Sequence, residues 1–340
     1  MRCLRCRYDG IENEEDICPR CKAYMQPLMR DMLPRGTTLE NGKYRLNYPL
    51  GRGGFGITYH AHHMGFDRAV AIKEFFPHQS VVRDGAALVI SIDIPQQNDY
   101  FRALKRFMKE GQILHDLNHQ NVVRVYDLFN FNNTAYIVME LIEGRTLRDV
   151  LDASMDKKLP LERVKKITGD IVAALCEIHN RKLCHLDISP DNIMIDANGK
   201  AVLIDFGAAK QVFKVVHSTF AFKQLYTPIE LMMEGNFGPE SDLFELSMMI
   251  YEMLTGKLPP PSLQRLASND SWTPQDVPDN WRRLLASGLQ MKRENRPKDI
   301  KKWWEGLGRS GIVIGDRVKA SPQKNSSKMF IGNGRKNKPK

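Results

Sequence analysis

Apolar positions change their period part-way along the chain. Between 44 and 141 they alternate or run in short blocks bounded by turn residues, so 44–50, 57–61, 69–74, 122–129 and 135–141 read as strands. Segments 80–82 and 87–92 flank Asp84-Gly85 and predict a further hairpin. One helix interrupts the strands, because Leu104, Phe107, Met108, Gly111, Ile113 and Leu114 recur at helical spacing within 101–117. From Leu161 onward helical periods dominate, at 162–179, 241–255, 281–290 and 298–306. The pattern predicts a β-rich lobe followed by an α-rich lobe, with the seam near 140–144.

The first 25 residues follow neither period. They hold Cys3-x2-Cys6 and Cys18-x2-Cys21, two knuckles separated by 11 residues. Four thiolates at this spacing close a tetrahedral site, and so short a segment draws its folding energy from the metal; a zinc ribbon at 1–25 is expected. Cys176 and Cys184 lie among apolar residues and read as core. No apolar run is long enough to span a membrane, and no signal segment opens the chain, which points to a cytoplasmic protein whose clustered cysteines bind metal rather than pair.

Charge refines this only slightly. A net charge of +10 suits anionic partners, ATP included, but describes no fold. Much of it sits beyond Gly308, where nine basic residues oppose Asp316 alone, so 307–340 reads as a basic, disordered tail. In the ribbon, Glu12, Glu14, Glu15 and Asp16 offset Arg2, Arg5, Arg7, Arg20 and Lys22, which favours a protein partner over nucleic acid. Residues 26–43 read as a connector.

Chemistry enters with Gly51-Arg52-Gly53-Gly54-Phe55-Gly56. Such glycines let backbone N–H groups approach phosphates, and because a strand rather than a helix follows, a dinucleotide fold is disfavoured. Val70-Ala71-Ile72-Lys73 then sets a lysine at the end of an apolar strand, with Glu110 on the following helix as its carboxylate. His185-Leu186-Asp187-Ile188-Ser189-Pro190-Asp191-Asn192 and Asp205-Phe206-Gly207 complete the set.

These motifs, in this order, resemble the protein kinase family, in particular its bacterial serine/threonine branch. The resemblance implies an α+β, bilobal protein kinase fold over 44–306, with an N-lobe at 44–139, a hinge at 140–144 and a C-lobe at 145–306. It implies Asp187 as catalytic base, Asn192 and Asp205 as ligands of Mg²⁺ or Mn²⁺, and Lys73 and Glu110 as the phosphate-binding pair. The glycine loop, Thr58, Ala71, Met139, Glu140, Ile142 and Met194 would surround ATP, with Met139 as gatekeeper, the backbone of Glu140 and Ile142 at the adenine and Met194 as floor. Protein hydroxyls, the chain's own included, would accept the phosphoryl group. Glu230 and Arg296 match a buried ion pair and Asp242 an aspartate that caps the catalytic loop; small-molecule phosphotransferases lack all three.

Some positions depart from that pattern. Leu186 replaces an arginine that reads a phosphate on the activation loop, although Ser218 and Thr219 are available there. Ser189 replaces a lysine that contacts the γ-phosphate, while Lys223 stands where a threonine usually bonds that lysine. The two types look exchanged, so that Lys223 restores the charge and Ser189 the hydroxyl. The alternative is a catalytically weak pseudokinase that serves as an ATP-binding scaffold. Between Lys73 and Glu110 lie 36 residues, more than the family's connection needs, and the surplus hairpin is expected to cover the edge of the lobe.

Overall fold

Val70, Ala71 and Ile72 are all buried, the mark of a strand covered on both faces, and they sit in a strand at the middle of a sheet. The computed structural model describes every residue except 7, 9, 14, 55, 79, 85–87, 92, 93, 206–224, 234, 235 and 309–340. The sheet is antiparallel and contains β1 (Thr38–Leu39), β2 (Tyr44–Arg52), β3 (Gly56–His63), β4 (Arg68–Phe75), β7 (Val125–Phe131) and β8 (Thr134–Met139), in the order β1-β2-β3-β4-β8-β7. A separate hairpin pairs β5 (Val81–Asp84) with β6 (Leu88–Ser91), where the turn signal of the insertion predicts it.

Helix α2 (Ile94–His115) packs on this sheet: the Phe75 ring lies 5.5 Å from Tyr100 and 5.3 Å from Phe107. Gly111 makes the close approach possible, since a Cβ there would stand 2.1 Å from Cδ2 of Leu128. The helix starts at Ile94 rather than 101, because its first turns carry the polar run Gln96-Gln97-Asn98-Asp99 with no apolar period to announce them.

Beyond β8 the chain crosses to β9 (Gly144–Thr146) and α3 (Leu147–Asp152), whose cap is Thr146 Oγ1 accepting from the Asp149 N–H at 3.1 Å. Strands β10 (Ile193–Asp196) and β11 (Ala201–Leu203) join β9 in a small sheet. Around it pack α4 (Leu161–Asn180), α5 (Ile229–Met233), α6 (Pro239–Thr255), α7 (Ser262–Ala267), α8 (Asp279–Gly288) and α9 (Ile300–Glu305). Helix α6 is buried from Ser241 through Met253, so it is the axis of this lobe. The lobes are stitched by backbone bonds from Val123 N–H to the Leu203 carbonyl and from Leu203 N–H to that of Asn121.

The N-terminal unit is a small cluster around buried Cys3, Ile11, Cys18 and Met25, closed by a bridge between Ile17 and Tyr24 and followed by α1 (Met25–Leu28). The span read as a connector is docked: Met32, Leu33 and Leu39 are buried in the same core as the sheet, and Leu4 packs against both cores. Among the described residues no helix is long and apolar enough to cross a membrane.

Candidate active site

The segment 185–192 is an irregular loop, so its amides need partners from elsewhere. Helix α6 supplies them from inside the lobe. Fully buried Asp242 accepts the His185 N–H at 2.9 Å and the Leu186 N–H at 2.7 Å, and His179 Nε2 lies 2.8 Å from the same carboxylate. One turn on, Glu245 accepts the Ile188 N–H at 2.7 Å. Leu186 adopts a left-handed φ of 61°, a conformation that its side chain disfavours and that these three bonds hold in place. Glu245 was not singled out from the sequence; its signal was a carboxylate three residues beyond Asp242, on the same side of a buried helix.

Asn192 turns its amide nitrogen to Asp187, donating to the carbonyl at 2.7 Å and to the carboxylate, which leaves its oxygen as the atom available to a cation. The Ile204 N–H donates to the Asn192 carbonyl at 3.0 Å, which ties the residue after β11 to the loop. Asp205 follows at once and forms an ion pair with Lys73. The same ammonium lies 5.8 Å above the Phe107 ring on α2, and Glu110, one turn farther along that helix, is buried. Asp187 and Asn192 are thus joined directly, and Asp205 is joined to Lys73 across the cleft.

Above them, the Gly53 N–H donates to the Gly56 carbonyl at 2.8 Å and closes the glycine hairpin. Gly56 admits no side chain, since a Cβ would stand 2.5 Å from the carbonyl oxygen of Glu74, whereas Gly51 and Gly54 face open space. Such a cradle suits phosphate oxygens approaching the backbone. Thr58 is opposite Lys73, Ala71 is opposite Met139 and Met194 lies between Val202 and Thr146. The Glu140 N–H is committed to the Arg124 carbonyl at 2.8 Å, so its carbonyl is what it can offer an adenine. Ile142 is half-buried at the hinge. Arg52 turns away to residue 30, donating to its carbonyl at 2.9 Å. Ser189 is buried, and its hydroxyl has no hydrogen-bond partner among the described residues. Phe55, Phe206, Gly207, Ser218, Thr219, Lys223 and the tail from 309 on lie outside the described residues.

Two networks hold the lower lobe around this site. Glu230 and Arg296 form a buried, two-pronged ion pair at 2.6 and 3.1 Å. Arg148 on α3 donates to Glu252 at 2.7 Å and to the Tyr226 hydroxyl at 2.6 Å. Burial and the Glu252 charge push the Tyr226 phenol far above its ordinary range, so it stays a donor.

These elements match one family over most of the chain: the protein kinase domain, across residues 44–302. The chain belongs to the protein kinase family. The kinase domain is 34% identical over 235 residues to the serine/threonine-protein kinase PksC of Streptomyces coelicolor, covering 66% of this chain and 39% of that one. It is 31% identical over 222 residues to the serine/threonine-protein kinase PrkC of Bacillus subtilis, covering 64% of this chain and 31% of PrkC. The chain therefore spans about a third of the length of these relatives. Among solved structures, the apo form of PpkA-294 superposes with a TM-score of 0.71 at 26% identity, covering 82% of this chain and 99% of that one.

Away from the kinase domain, the sulfur atoms of Cys3, Cys6, Cys18 and Cys21 all lie within 4.8 Å of one another. Burial works against the Cys18 thiolate, but the Cys21 and Arg20 amides and the neighbouring thiols outweigh it and bring the thiol down to about 6. Burial, with the neighbouring thiols, pushes Cys6 up to about 12. One thiolate forms readily and its neighbour resists, as expected of a donor set that requires a cation to ionise fully.

Proposed function

We propose that this chain is a protein kinase that transfers the γ-phosphoryl group of ATP to serine and threonine hydroxyls, including its own. The supporting observation is the assembly of Asp187, Asn192, Asp205 and Lys73 at one cleft under a glycine hairpin. Asp187 would accept the proton of the attacking hydroxyl. Asn192 Oδ1 and the Asp205 carboxylate would hold Mg²⁺ or Mn²⁺, which supplies charge neutralisation at the phosphates when bound. Lys73, its pairing with Asp205 yielding to Glu110, would hold the α- and β-phosphates. The hinge backbone at Glu140 and Ile142 would meet adenine, with Ala71, Met139 and Met194 as walls.

The partnerless hydroxyl of Ser189 supports the exchange of roles with Lys223, since a lysine reaching in from the activation segment would find a buried acceptor there. The pseudokinase reading is disfavoured because the Ser189 change has this partner-exchange explanation, the Leu186 change bears on activation rather than on the reacting groups, and Asp187 with Asn192 and Asp205 with Lys73 are each joined. For the four cysteines we propose zinc, the cation that four thiolates within 4.8 Å of one another suit best. The ribbon would serve a protein partner or regulation, and a cytoplasmic location agrees with free thiols.

The test is transfer of labelled γ-phosphate from Mg-ATP to the chain and to a basic protein. Asp187→Asn is expected to lower transfer by about a hundredfold or more with Mg-ATP affinity retained. Unchanged transfer in the variant would remove Asp187 from the chemistry.

A further inference from the structure

We infer that residues 30–33, the stretch between the ribbon and the kinase domain, are a positioning strap for the glycine-rich loop, acting through Arg52 and Arg83 to set nucleotide affinity. This rests on the kinase reading of the cleft.

The strap is anchored first by apolar burial: Met32 and Leu33 are 9% and 2% exposed in the core of the sheet lobe. Asp31 beside them adopts a left-handed φ of 66°. That turn lets one residue address two arginines: its carbonyl accepts from Arg83 Nε at 2.8 Å, and its carboxylate lies 3.5 Å from Arg52 Nη2. Strain of this kind persists where surrounding contacts over-determine it.

Arg83 comes from the inserted hairpin and is 5% exposed. Its other two nitrogens grip the fully buried Glu74 at 3.1 and 2.8 Å. Glu74 also accepts from the Tyr59 and Tyr136 hydroxyls at 3.0 and 2.7 Å, and Tyr59 in turn accepts from the Leu33 N–H at 3.1 Å. The circuit returns to the strap. A buried carboxylate satisfied four times over and placed next to Lys73 is a costly device to keep for packing alone, because apolar residues would fill the space as well.

Both ends of the glycine hairpin meet this circuit. At the β2 end, Arg52 is tied to 30 and 31; at the β3 end, Gly56 rests on the Glu74 backbone. A loop whose two ends are fixed loses less freedom when phosphates bind, so the strap appears in nucleotide affinity rather than in the chemical step. The N-terminal unit reaches the other lobe too, through Arg2 and Asp149 on α3 at 3.6 Å.

The experiment measures Mg-ATP Kd by titration, KM and kcat by transfer, and amide exchange over 51–54, in the full chain. Asp31→Asn keeps the turn and removes the charge. It is expected to raise Kd and KM about three- to tenfold, leave kcat within about twofold, and speed exchange in the loop at unchanged Tm. Combining Arg52→Gln with Asp31→Asn should raise Kd by less than the product of the two single effects, since both remove the same Asp31–Arg52 contact. An unchanged Kd in Asp31→Asn, or effects of the two substitutions that multiply, overturns the strap. Binding without transfer by the unaltered chain would sink the catalytic reading alone, with Kd and exchange still deciding the strap; no Mg-ATP binding would sink both.

Discussion

The two sides of the cleft are held by different means. The catalytic loop is fixed from within its own lobe, by Asp242 and Glu245 on a helix buried along thirteen consecutive residues, 241–253. The glycine loop is fixed from outside, by a strap that precedes the domain and an arginine on an insertion. Groups that must stay put through the reaction are thus bonded to the stiffest element available. A loop that, on the proposed reading, admits and releases nucleotide is held by one buried contact, through Arg83, and one partly exposed contact, between Asp31 and Arg52. Regulation is cheaper to install on the second side, because loosening it leaves the fold intact.

Removing the inner anchor should have the largest effect. Asp242→Ala leaves two buried amides and His179 without their acceptor, and is expected to lower unfolding free energy by about 2–5 kcal/mol and kcat by about a hundredfold. Urea unfolding and single-turnover transfer measure both; a stable variant with normal kcat would show that Glu245 alone suffices.

Disturbing the ribbon should act more gently and on a different constant. Cys18→Ser is expected to release the bound metal, seen by chelator absorbance, and to raise KM for ATP about threefold with kcat spared. Metal loss with unchanged KM would mean that Met32 and Leu33 hold the strap unaided.

The smallest effect belongs to Arg2→Gln. Its bond to Asp149 is partly exposed, worth at most about 1 kcal/mol, so KM should move by no more than about twofold, and less in high salt. A larger shift would make the ribbon a direct brace between the lobes.

Much of the site was legible because its chemistry is written in short spacings. Asp187 and Asn192 lie five residues apart and meet in the fold; Asp242, Glu230 and Arg296 were expected at long range and bond as expected. The inserted hairpin was expected merely to cover an edge, whereas its Arg83 reaches inward and neutralises Glu74. Neither residue announced this, since a glutamate after a strand lysine and an arginine in a turn both read as solvated.

The sequence by itself determined the order of strands and helices, the reactive groups and the cysteine cluster, because periodicity and local spacing encode which residues can share a face or a loop. Only the tertiary structure decided what holds the glycine loop. Arg52, Arg83, Glu74 and Asp31 are separated by 9 to 52 residues, and no period links them. Their pairing follows from burial: a carboxylate shut inside the sheet lobe must find a cation, and the fold brings it the one on the hairpin.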